Sequence, residues 1–173
     1  MIYLNLVLRV LHIGAGVFWA GGAIVFAGFV EPNASALGPA GIPFMQRLAG
    51  SSGYSKWMGV AAAVNTLAGV WLLWLRSAGF SPAWFSTGFG LSLTLGAITG
   101  IAGAFVGFGV QAPTSARLGR VSQAVAKAGG PPTQAQLVEI TACQRRLRFG
   151  GRLTAVLLAL TVLFMAAARY MLF

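Results

Sequence analysis

Residues 3–30 read YLNLVLRVLHIGAGVFWAGGAIVFAGFV, and Arg9 is the one cation in an otherwise uncharged run of 28 residues. A bilayer core is crossed by about 20 mostly apolar residues wound as a helix. The run meets that length with turns to spare. It is also too long for the apolar core of a secretory signal, about 7–15 residues, although Ala34-Ser35-Ala36 has the small-residue pattern of a cleavage site. Read as a membrane span, it makes the rest of the chain interpretable.

Three further stretches have the same character, at residues 57–75, 84–110 and 153–173. Helix breakers separate them: Pro32, Pro39, Gly41 and Pro43 after the first, Gly79 and Pro82 between the second and third, and Pro113 after the third. Gly129, Gly130, Pro131 and Pro132 interrupt the last connection. The expected fold is all-α, a four-transmembrane-helix bundle forming a single integral membrane domain over residues 1–173. No repeat of 20–50 residues is visible, although two helical pairs could descend from an old duplication.

Composition excludes much else. The chain is 57% hydrophobic and 8% charged, against about 25% charged for globular domains. Twelve Lys and Arg face two acids, Glu31 and Glu139, with no Asp. An ordinary soluble enzyme, a disordered tail and a disulfide scaffold are all ruled out. Paired-carboxylate chemistry has no residues to work with. The single histidine, His12, excludes a multi-histidine metal cage within one chain, and Cys143 reads as a small buried residue. A net charge of +10 spread along membrane boundaries, with no nucleic-acid motif, does not point to nucleic acid.

Basic residues orient membrane proteins, because Lys and Arg are retained on the cytoplasmic side. The two connections on one side carry Arg47, Lys56, Arg117, Arg120, Lys127, Arg145, Arg146, Arg148 and Arg152, whereas the other side has Arg9, Arg76 and Arg169. The asymmetry predicts both termini on the non-cytoplasmic side and the connection 111–152 inside. Tyr3, Trp71, Trp74, Trp84, Phe85 and Tyr170 would form an outer aromatic belt, with Tyr54 and Trp57 as an inner one. The long connection is expected to be helical over 114–127, and again from a capping box at Thr133 and Gln136 through Arg148. Gly150-Gly151 marks a candidate hinge before the fourth span.

The first span carries a polar stripe, Asn5, Arg9, His12 and Gly16, spaced four, three and four. Ionisable groups within a membrane are costly and are functional candidates by default. Arg9 can snorkel to the surface. His12, one turn deeper, has three readings: a neutral imidazole hydrogen-bonded to a neighbour, a metal or haem ligand, or a proton carrier. Met165 in the fourth span lies at a similar depth, and a His–Met pair could ligate haem iron or Cu(I). Arg9 and Arg169 would stand near the propionates of such a haem, and Trp19 could stack on it. A haem held by two histidines would require a dimer.

Other features read as packing. Gly96, Gly100, Gly103 and Gly107 share one face of the third span, suited to close helix approach or to a partner chain. Asn65, one turn from Gly69, must find partners in mid-span. Arg145, Arg146, Arg148 and Arg152 cluster where the fourth span begins and suit anionic lipid headgroups.

The run Leu11-His12-Ile13, then Phe18-Trp19-Ala20-Gly21-Gly22, then Val30-Glu31-Pro32 resembles a broad group of small bacterial integral membrane proteins. That group includes copper-resistance D-type proteins and the four-helix membrane protoporphyrinogen oxidases. Phe44-Met45-Gln46-Arg47-Leu48 is similar to a segment of the oxidases. The resemblance implies that His12 corresponds to the first-helix histidine associated with haem or metal, that Arg47 contributes, and that the protein resides in a bacterial inner membrane. Where the oxidases carry a lysine in the third helix, this chain offers Ser92, Thr94 and Thr99.

The leading expectation is a small haem- or metal-binding membrane protein with His12 as ligand. It would act in electron transfer or as an accessory subunit of a larger membrane complex, with lipids and a homo-oligomer or other subunits as partners. Two other classes stay open: a structural or assembly subunit binding only lipid and protein, and a porphyrin-oxidising enzyme.

Overall fold

The structure, a computed structural model, describes residues 2–50 and 52–171. Every regular element among them is helical. The long helices are α1 (Ile2–Val25), α4 (Tyr54–Arg76), α6 (Gly88–Phe105) and α8 (Gln134–Ala167). Shorter ones are α2 (Glu31–Ala36), α3 (Gly41–Ala49), α5 (Pro82–Phe85) and α7 (Ala112–Ala128).

Four helical stretches have the length and apolarity to cross a membrane: Ile2–Ala36, Tyr54–Arg76, Gly88–Ala128 and Gln134–Tyr170. Large apolar side chains also face outward on each: Val17, Leu67 at 73% exposure, Phe105 at 73%, and Leu163. A water-soluble bundle would hide such residues; lipid accepts them.

The helices outrun the apolar stretches, and the prolines explain how. Pro32 and Pro113 were expected to end spans, yet the helix continues through both. Each follows a π-helical turn, Phe26–Val30 before α2 and Val106–Gln111 before α7. A proline inside a helix lacks the N–H owed to the carbonyl four residues back, and its ring crowds that carbonyl. That residue is Gly28 in one case and Gly109 in the other, both inside the widened turn. The wider turn reroutes the ladder instead of breaking it.

Two other boundaries shift. Trp84 and Phe85 lie in the separate turn α5, not in the third span, which starts at Gly88 behind the Thr87 cap (Gly90 N–H to Thr87 Oγ1, 3.0 Å). Gly150-Gly151 does not interrupt the helix: α8 runs unbroken for 34 residues. Gly150 is a contact glycine, since a Cβ there would lie 3.2 Å from Gln111 Cγ. The capping box at Thr133 and Gln136 forms. Of the expected domain 1–173, Met1, Ser51, Leu172 and Phe173 lie outside the described residues, so the fourth span is described to Met171.

The bundle is two antiparallel hairpins side by side. α1 pairs tightly with α4, and α6 with α8; lesser contacts of α1 with α8 and of α4 with α6 join the pairs. Register within the first pair is constant: stepping four residues along α1, from His12 to Gly16, matches four back along α4, from Gly69 to Asn65. The core between hairpins is Trp19, Ala20, Ala23, Ala61, Ala62, Ala104 and Leu158. Five alanines around one tryptophan let backbones approach closely, which lipid-embedded helices need because no hydrophobic drive separates protein from solvent there.

Candidate functional site

Of the polar stripe of α1, His12 and Gly16 face α4. His12 Nδ1 lies 2.8 Å from the Asn65 carbonyl oxygen. A carbonyl only accepts, so Nδ1 carries the proton and donates it. In neutral imidazole this leaves the Nε2 lone pair without a proton.

The sequence of α4 makes that bond reachable. In the α-helical ladder the Asn65 carbonyl pairs with the N–H of residue 69. Residue 69 is glycine, and a Cβ there would lie 2.7 Å from His12 Cε1 and 2.9 Å from Nδ1. Any side chain would occupy the place of the imidazole. The arrangement is reciprocal: the Asn65 side chain sits over Gly16, whose added Cβ would be 2.7 Å from Oδ1. Each polar group thus rests on a glycine of the opposite helix. Lower on the same seam, Tyr54 Oη donates to the Gly22 carbonyl at 3.1 Å, and its ring stacks on Phe26.

The remaining candidates fall in several places. Met165 packs against Gly96 of α6, where a Cβ would lie 3.0 Å from its Cγ. His12 and Met165 therefore seat on different helices. Arg9 and Arg169 are exposed, and Arg169 lies over the Tyr170 ring, 5.1 Å from its centroid. Trp19 is 4% exposed within the core, so its faces are taken by protein. Among the described residues no three His, Cys, Asp or Glu side chains converge as a metal-binding group.

The glycine face of α6 meets α8: Gly96 and Gly100 against Met165 and Thr161, and Gly103 against Leu158. Gly107 has open space. Polar bonds reinforce this pair, from Ser92 Oγ to the Phe164 carbonyl (2.8 Å), between Thr99 and Thr161 hydroxyls (2.8 Å), and from Gln111 Nε2 to Thr154 Oγ1 (2.8 Å).

The four clustered arginines divide. Arg145 and Arg146 are exposed. Arg148 Nε donates to Glu31 Oε1 at 2.6 Å and its Nη2 to Ser35 Oγ at 3.0 Å, while Arg152 Nη2 approaches Glu31 Oε2 at 3.6 Å. The Glu31 side chain is 12% exposed. This cluster was missed in the sequence, where Glu31 and Arg148 stand 117 residues apart. The available signal was scarcity: one of only two acids, placed at a span end, needs a cation. The other acid, Glu139, pairs with Arg117 across α7 and α8. Cys143 is buried, and Arg47 lies exposed on α3.

No family model, no curated protein and no solved structure matches this chain.

Proposed function

We propose that this protein is a haem- or metal-binding subunit of a bacterial inner membrane, with His12 as ligand through Nε2 and with both termini outside the cytoplasm. The observation that carries the reading is the bond from His12 Nδ1 to the Asn65 carbonyl. Ligating histidines usually donate their other ring N–H to a carbonyl or carboxylate, which fixes the tautomer and aims the ligating nitrogen. A bound haem would supply one-electron chemistry; the chain's own contribution is to hold the imidazole against Gly69, with Nδ1 on the Asn65 carbonyl. With His12 as the only histidine, a second axial nitrogen would come from another copy or another subunit, which fits an electron-transfer or accessory role in a larger complex. The Cu(I) alternative draws less support, because Met165, the thioether it would recruit, packs on Gly96. Nine basic residues on the side of the α7–α8 connection support its cytoplasmic placement.

A second reading has its own observation. The same seating of His12 and Asn65 on paired glycines would serve a purely structural subunit as a register lock between α1 and α4.

The test is the visible spectrum of the purified protein, oxidised and dithionite-reduced, beside His12→Ala, with metal content measured on both. A Soret band, or stoichiometric metal, lost in the variant supports the ligand reading. No pigment and no metal in the wild type overturns it and leaves the structural subunit.

A further inference from the structure

We infer that the projecting half of α8 is a docking surface for an acidic amphipathic helix of another protein. The inference starts from the continuity of α8. Residues 151–170 supply the roughly 20 that a bilayer core takes. Residues 134–149 continue the same helix without a joint and carry it about 24 Å further along its axis. A helix that continues past the membrane boundary carries this half away from the headgroups rather than along them.

The projecting half has two faces. One turns to α7, through the Glu139–Arg117 ion pair and the buried Cys143. The other is exposed. It is formed by Gln134, Leu137, Val138, Thr141, Ala142 and Arg145 of α8 itself. Their spacing of three, one, three, one and three makes one continuous helical stripe. Leu137 is 44% exposed and Val138 62%, well away from the lipid that excuses exposed apolar residues on the spans.

Charge selects the occupant. Arg145 borders the stripe and the exposed Arg146 follows it. A second copy would bring the same cations and no spare carboxylate, because the chain's two acids are both committed, Glu31 to Arg148 and Arg152, and Glu139 to Arg117. Nucleic acid would leave Leu137 and Val138 uncovered. A helix with an apolar face for Leu137, Val138 and Ala142 and carboxylates toward Arg145 and Arg146 satisfies both features.

The test is photo-crosslinking of the full-length protein in its own membranes. Val138→Cys in a Cys143→Ser background carries a benzophenone, and the same label at Ala124→Cys, exposed on α7, is the control. Adducts are mapped by mass spectrometry. The expected product joins position 138 to an acidic helical segment of another protein. It is absent from position 124 and falls about tenfold in an Arg145→Glu/Arg146→Glu variant that still purifies folded. Adducts to lipid, to a second copy of the chain or to a segment without acidic residues overturn the inference, as does an absence of adducts.

Discussion

The imidazole of His12 occupies the space that the side chain of residue 69 would fill, and only because that residue is glycine does the ring reach the carbonyl of Asn65. Gly69→Ala should therefore displace the ring, break the bond and loosen α1 from α4, at a cost of about 1–3 kcal/mol as an overpacked contact. Gly14→Ala, on the same pair of helices but with open space around it, should instead stabilise by about 0.5–1 kcal/mol, because alanine favours the helix. Reversible unfolding in mixed micelles measures both. Equal effects would refute the seating of His12 on Gly69.

Glu31 and Arg148 should couple more strongly than Glu139 and Arg117, because the Glu31 carboxylate is the more enclosed, 12% exposed against 32%. Double-mutant cycles with glutamine replacements should give about 1 kcal/mol for the first pair and about 0.3 kcal/mol for the second, which is an ordinary surface pair. A reversed order would mean that solvent screens Glu31 despite its enclosure.

Gly150 and Gly151 should respond differently to substitution. Gly150→Leu drives a side chain into Gln111 and Val106 and should cost about 1–3 kcal/mol. Gly151→Ala enters open space within a helix and should stabilise by about 0.5–1 kcal/mol. A working hinge would instead make both substitutions alter the motion of α8, visible as spin-label distances between 138 and 163.

Pro113→Ala restores the N–H that the π turn accommodates. The turn should tighten to α-helical form and rotate α7 against α8. Cys143, buried between elements that would then be misaligned, should react with a maleimide at least about tenfold faster than in the wild type, by the loss of protection that follows local opening. Unchanged labelling would mean that the π turn does not depend on the proline.

What could be read from the sequence was local. The four spans follow from apolar length, and the capping box at Thr133 from two residues three apart. The polar stripe of α1 was likewise legible, since helical spacing puts Asn5, His12 and Gly16 on one face. Its partner was not. That the carbonyl of Asn65 in α4 receives His12, although α8 also borders α1, depends on how the helices assemble, which no period encodes. The π turns were hidden for a different reason: glycine followed by proline at a span end reads as a stop, and only the continued ladder shows otherwise. Glu31 held by Arg148 is a contact between distant segments, invisible until the hairpins are assembled.

The unbroken course of α8 has a mechanical consequence. One continuous helix touches α1, α6, α7 and both π turns, so it is the mast to which the other elements are rigged. A tilt or twist imposed on its free end has no joint in which to dissipate. It is delivered instead to Thr161 and Met165, where the helix bears on the glycines of α6.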